Sequence, residues 1–243
     1  MAHHQRHRAI WLYGRQLNKA RDWRIVAKNI SVDQHIMSAN DQLAAKVRAR
    51  LQETGVYAIN IMASPGAGKT SLILRTVEAL KDDLRIAAVD GDVAAIDVER
   101  ISADGIPVRL INTGGSCHLD ANMLLTALPE LPLEQVDLLI VENVGNLICP
   151  ANFALGVHAN VVISSVPEGD DKPYKYPAMF QGADVLLLNK IDMLAHEAFD
   201  VDSFHRGVEA LNPNLAFFSL SCKTGEGLDA WLAWLRTKVR QAR

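Results

Sequence analysis

Long apolar runs are missing from this 243-residue chain. The longest, such as Val136–Val141 and Val185–Leu188, are strand-sized, far short of the ~20 apolar residues a membrane-crossing helix needs. The N-terminus has no apolar core followed by a small-residue cleavage site, so no secretory signal is expected and the cytoplasm is the default location. Cysteine is scarce: Cys117, Cys149 and Cys222 are too few, and odd in number, for a disulfide scaffold, so any role they have is as thiols or thiolates. Excess charge of one sign is lacking too. A formal net charge of -3 gives no reason to expect nucleic acid or an acidic membrane as partner. What remains, 49% hydrophobic residues against 22% charged, suits one α/β domain with a substantial core.

Residues 1–28 differ from the rest, with seven Lys/Arg against one acid plus His3, His4 and His7. They read as a basic leader, flexible or partly helical. The histidines can bind metal weakly or simply sit in a solvated tail. Residues 29–243 read as one domain. An N-terminal helix is expected over 31–54, because Ile36, Leu43, Val47 and Leu51 recur at helical spacing between the possible caps Ser31 and Asp33 and the terminator Gly55.

Strands and helices then alternate. Strands are expected over Val56–Met62, Arg85–Val89, Pro107–Ile111, Val136–Val141, Val161–Ser165, Asp184–Leu188 and Leu215–Leu220. Helices are expected over Lys69–Leu80, Val93–Ala103, Leu119–Leu128, Ser203–Leu211 and Leu228–Val239. Such alternation predicts a three-layer α/β/α fold around a mainly parallel sheet, with ligands at the carboxyl ends of the strands.

Three motifs fall at those ends. Between the first strand and the following helix lies Ala63-Ser64-Pro65-Gly66-Ala67-Gly68-Lys69-Thr70, the P-loop pattern with alanine where its first glycine is usual. Gly66 and Gly68 let successive amides turn toward a phosphate, Lys69 reaches the outer phosphate oxygens, and the Thr70 hydroxyl suits Mg²⁺. Asn189-Lys190-Ile191-Asp192 follows another apolar strand. Its aspartate can accept from guanine N1–H and the exocyclic amine, which adenine cannot match, while Lys190 lies over the base and Asn189 ties the loop to the P-loop. Ser221-Cys222-Lys223 then closes over the base from the other side. Together these predict a GTP site of Pro65, Gly66, Ala67, Gly68, Lys69, Thr70, Ser71, Asn189, Lys190, Asp192, Ser221, Cys222 and Lys223. Asp92, in Asp90-Gly91-Asp92, and Glu142, in Glu142-Asn143-Val144-Gly145, are the candidate Mg²⁺-linked carboxylates, a reading favoured for Asp92 over its alternative as a helix cap. Lys69, Asp92 and Glu142 are the candidate catalytic set, with Asp92 the candidate for positioning water. Phosphoryl transfer asks mostly for positioning and charge neutralisation.

A softer donor set stands apart. Cys117-His118 and Cys149 sit in loops leaving the same sheet edge, and thiolate with imidazole suits Zn²⁺ or Ni²⁺. Three ligands are one fewer than a closed structural zinc site has, and two chains together can complete the shell. On chemistry alone, buried structural cysteines account for the pattern as well as a metal site does.

From about Trp23 onward the chain resembles the hydrogenase maturation GTPase HypB, a nickel-insertion family of the SIMIBI class of P-loop NTPases. The resemblance lies in Ala63–Ser71, Asp90-Gly91-Asp92, Gly115-Ser116-Cys117-His118-Leu119-Asp120-Ala121, Glu142–Pro150, Glu168-Gly169-Asp170-Asp171-Lys172-Pro173, Asn189–Asp192 and Ser221–Gly227. It implies a P-loop GTPase domain over 29–243, nickel or zinc on Cys117, His118 and Cys149 at the interface of a GTP-dependent homodimer, and nickel delivery to a [NiFe]-hydrogenase precursor with the partner HypA. Some members carry an N-terminal Cys-x-x-Cys-Gly-Cys motif or a long histidine tract; this chain has neither, its first cysteine being Cys117. Two rivals are a urease-type nickel-insertion GTPase, whose Cys-Pro-His is not found here, and a nickel-buffering protein with weak GTPase activity. A P-loop kinase is disfavoured by Asn189–Asp192.

Overall fold

The computed structural model describes residues 32–91, 102 and 105–243. The basic leader, the Ser31 cap, Asp92 and, Ser102 apart, the helix expected over Val93–Ala103 lie outside the described residues. The chain divides into two units, residues 1–38 and 39–243. The first is described only over 32–38, which is helical.

The second unit is built on seven parallel strands: β1 (Tyr57–Ala63), β2 (Ile86–Asp90), β3 (Val108–Leu110), β4 (Leu138–Glu142), β5 (Ala159–Ser165), β6 (Val185–Asn189) and β7 (Ala216–Ser219). Their order is β3-β2-β4-β1-β5-β6-β7. The described helices are α1 (Val32–Thr54), α2 (Lys69–Leu80), α3 (Ala121–Ala127), α4 (Lys172–Lys175), α5 (Pro177–Gln181), α6 (Val201–Leu211) and α7 (Leu228–Gln241). No helix among the described residues is long and apolar enough to cross a membrane.

The central strands are buried on both faces, which is why they read as nearly continuous apolar runs. Alternate residues feed different cores. Ile59, Ile61, Leu138 and Ile140 pack with Leu72, Ile73 and Val77 of α2 and Trp231 and Leu235 of α7. Ala58, Leu139 and Val141 meet Val47 and Leu51 of α1 and Leu124 of α3. Met62, Val162 and Leu186 meet Phe180 of α5 and Phe204 and Val208 of α6. This is the expected three-layer arrangement.

Several boundaries move for local reasons. Helix α3 starts at Ala121, not Leu119, because the Asp120 side chain accepts from Met123 N as its cap. Helix α6 starts at Val201 because Asp200 caps it through Ser203 N. Strand β5 begins at Ala159, since Ala159 and Asn160 pair with Ile59 and Asn60 before the apolar run starts. Helices α4 and α5 were not foreseen; Pro173 and Pro177 stand in their first turns, where a missing N–H costs nothing. Glu142 and Asn189 prove to be the last residues of β4 and β6, aimed by the sheet itself.

Candidate nucleotide cleft and metal centre

The loop after β1 turns on Gly66 (φ 78) and Gly68 (φ 111). At Gly68 any side chain would also collide with the Asn189 amide, so glycine is required twice over. Helix α2 then opens at Lys69 with no capping side chain and no acid in its own first turn, so its positive end faces the loop. Lys69 is buried, with Nζ 4.0 Å from Glu142 Oε1. Thr70 Oγ1 donates to that same carboxylate oxygen at 3.1 Å. Asp90 and Glu142 are register partners on β2 and β4, both buried. The hydroxyl and carboxylates are hard oxygen donors of the kind Mg²⁺ prefers.

The other end of the cleft hangs on Asn189, which is 2% exposed. Its Nδ2 donates to Ala67 O at 2.9 Å, and its Oδ1 accepts from Lys190 N at 2.8 Å and Cys222 N at 3.1 Å. Lys190 has φ 62, the one positive φ outside glycine among the described residues, and its Nζ donates to Gly66 O at 2.7 Å. A lysine held there is strained, and such strain gathers at functional sites. Asp192 Oδ1 accepts from Ser221 Oγ at 2.6 Å, with Lys223 Nζ 4.0 Å from Oδ2. The resulting cavity, about 440 Å³, is lined by Gly68, Ser71, Asn189, Asp192, Cys222 and Lys223, together with Met193 and His196. Burial pushes the Cys222 thiol up to about 11, so it stays protonated there. A larger cavity, about 570 Å³, near Arg85, Pro107 and Gln135 at the amino ends of the strands contains none of these groups; size alone does not mark the site.

The structure thus brings the phosphate-loop residues, the Asn189–Asp192 segment and the Ser221–Lys223 segment to one cleft. Asp92 falls outside the described residues. Sequence reasoning missed Arg75, whose Nε donates to Cys222 O at 2.9 Å, joining α2 to the base-closing loop. No local pattern signals that contact, which spans 147 positions. Lys172 and Lys175 pair with Glu168 and Asp171 on their own segment.

Cys117, His118 and Cys149 come together. One ligand atom from each lies within 4.8 Å of the others. Cys117 Sγ is 2.7 Å from Cys149 Sγ and 3.7 Å from His118 Nδ1. The hydrogen bond to Cys149 pushes the Cys117 thiol up, so a metal there must displace a proton. Burial lowers the His118 pKa, with Asp120 partly opposing, and favours the neutral imidazole that can ligate. The ring stacks on Phe153 at 3.9 Å, which fixes its plane. Two sulfurs and a nitrogen suit a borderline cation such as Ni²⁺ or Zn²⁺ and leave part of its shell open. Cys222 is not in this cluster.

The family model described as CobW/HypB/UreG, nucleotide-binding domain, matches residues 57–219. The hydrogenase maturation factor HypB of Escherichia coli strain K12 is 43% identical over 210 residues, spanning 86% of this chain and 72% of that protein. Among solved structures, HypB from Archaeoglobus fulgidus is similar with a TM-score of 0.79 at 40% identity, covering 83% of this chain and 99% of that one. HypB from Helicobacter pylori, solved in complex with nickel, gives a TM-score of 0.80 at 38% identity, covering 84% and 96% respectively.

Proposed function

The chain belongs to the HypB family of hydrogenase maturation factors, within the CobW/HypB/UreG nucleotide-binding group, and from that premise we propose that it hydrolyses GTP to control a nickel- or zinc-binding site, assisting nickel insertion into a [NiFe]-hydrogenase precursor. In this reading Asp192 selects guanine, Lys190 covers the base, and Pro65 through Ser71 cradle the phosphates. Thr70 and Glu142, with Asp92, would hold Mg²⁺, which would supply charge neutralisation at the phosphates. Lys69 adds a fixed positive charge in a site shielded from water. Asp92 positions the attacking water.

Nickel is the cargo, held by Cys117, His118 and Cys149. GTP-bound copies pair as a homodimer, so two partial donor sets combine, and GDP returns them to single chains. A HypA-type nickel chaperone and the hydrogenase large-subunit precursor are the proposed partners, in the cytoplasm.

The observation that carries this reading is the continuity of the two sites: Glu142, in hydrogen-bond contact with Thr70, opens the same short segment that ends in Cys149. Nickel content and oligomeric state should be measured with a non-hydrolysable GTP analogue and with GDP, in the wild type and in Cys117→Ala. The expected result is a dimer with the analogue only, and nickel binding that depends on nucleotide and on Cys117. Equal nickel affinity in all nucleotide states would leave a nickel buffer instead.

A further inference from the structure

Resting on that reading, we propose that Asn146, backed by Asn143, is the positioning residue through which the nucleotide cleft sets the geometry of the Cys117–His118–Cys149 cluster. The span from Glu142 to Cys149 touches both sites. At its start Glu142 accepts from Thr70. In its middle Gly145 lies against the phosphate loop, where an added Cβ would stand 3.1 Å from Pro65 Cγ and 3.3 Å from Lys69 Nζ. A phosphate contacting Lys69 therefore acts on a segment already in contact with Gly145.

On either side of Gly145 an asparagine reaches toward the metal loop. Asn143 is fully buried. Its Oδ1 accepts from Leu119 N at 3.0 Å and Val144 N at 2.9 Å, and its Nδ2 donates to Asn60 Oδ1 at 3.1 Å. Asn60 in turn donates to Asn160 Oδ1 at 3.1 Å. This chain of amides runs across β1 and β5 and makes the Leu119 end of the metal loop a fixed point. Leu119 is also buried against Gly91, where a side chain would come within 2.6 Å of it.

Asn146 is only half-buried. Its Nδ2 donates to Cys117 O at 3.2 Å and its Oδ1 accepts from Ile148 N at 2.8 Å. One side chain thus grips the backbone of Cys117 and the turn leading into Cys149. With Leu119 anchored, a shift at Gly145 passes through Asn146 and changes the Cys117–Cys149 separation rather than carrying the whole loop along. Asn146 is not one of the three donors of the cluster and does not line the nucleotide cavity, so its part is transmission.

The test uses Asn146→Ala and Asn146→Asp in the full chain. Ni²⁺ affinity is measured with a GTP analogue and with GDP, and the ratio of the two dissociation constants is the readout. A coupled pair of sites gives ratios of about 5 to 150. The wild type should fall in that range, and both variants should fall within about twofold of unity, losing the reciprocal effect of Ni²⁺ on analogue affinity by the same factor. Asn146→Asp keeps the acceptor for Ile148 N–H and removes the donor to Cys117. Its added charge acts on nickel in both nucleotide states and largely cancels in the ratio. Variants that keep the wild-type ratio, or that lose nickel in both states by the same factor while the ratio survives, overturn the proposal alone. A wild-type ratio of one removes the parent reading as well.

Discussion

Ser221 Oγ donates to Asp192 Oδ1 at 2.6 Å, the short distance of a hydroxyl bonded to a carboxylate. Ser221 Oγ itself accepts from Thr224 N at 3.1 Å, so the base-closing loop fixes which way the Asp192 carboxylate points. In the proposed reading the remaining lone pairs of Asp192 would accept from the base edge. Asp192→Asn should weaken GTP binding by about 100-fold or more, since hydrogen bonds to a charged group contribute ~1.5–3 kcal/mol each. Xanthine carries a carbonyl where guanine has its amine, so the same variant should gain affinity for xanthosine triphosphate. Competition binding against a fluorescent guanine nucleotide checks this; unchanged GTP affinity would remove Asp192 from the base site.

Lys69 Nζ lies 4.0 Å from Glu142 Oε1 inside the protein. Substituting Lys69→Ala removes the only charge the phosphate loop supplies from a side chain. Phosphate release from GTP should fall by ~10²-fold or more, in the range seen when a preorganised transition-state donor is lost. Steady-state turnover at saturating nucleotide is the measurement.

The sulfurs of Cys117 and Cys149 lie 2.7 Å apart with His118 beside them. Cys149→Ala and His118→Ala should each weaken Ni²⁺ binding by at least ~10-fold, and Cys149→Ala should diminish the thiolate-to-nickel absorption band. Because Cys117 is held protonated, nickel binding should release protons measurable in a weakly buffered titration.

His158 accepts from Ala58 N at 3.0 Å and stacks on Tyr57, and burial, with Arg48 adding to it, lowers its pKa to about 4. The unfolded chain takes up the proton near 6.5 while the folded chain does so only near 4. Stability from this group is therefore present above pH 6.5 and lost as pH falls toward 4. The ring is half-exposed, so the loss should be ~1–2 kcal/mol after allowing for solvent screening. Urea unfolding of wild type and His158→Gln at pH 7 and pH 5 isolates it: the difference between the two proteins should shrink at the lower pH.

The strands and the phosphate loop were legible because their signals are local. Apolar runs of strand length, glycines before Gly68-Lys69-Thr70, and Asn189–Asp192 after a strand each carry their own meaning. The clustering of Cys117, His118 and Cys149 was foreseen from loops leaving one sheet edge, while chemistry alone left structural cysteines open. Less visible were contacts made only by the fold. Asn60 sits in an otherwise apolar strand, and nothing nearby in sequence says that its amide pairs with Asn143 and Asn160. The same holds for Arg75, whose partner loop lies 147 positions away, beyond β6 and β7. The short helices α4 and α5 are set by proline positions too close together for any periodicity to emerge.

Asn189 has a consequence for how a bound molecule departs. One amide is bonded to the loop at Ala67, to the backbone at Cys222 and to its own neighbour Lys190. The inner walls of the cleft therefore cannot spread apart unless that side chain lets go of several partners at once. His196 and Lys223, which line the same cavity from two separate turns, are exposed, and passage beside them breaks none of the Asn189 bonds. Exchange of nucleotide should thus start at the base and finish at the phosphates, like a key drawn out by its bow.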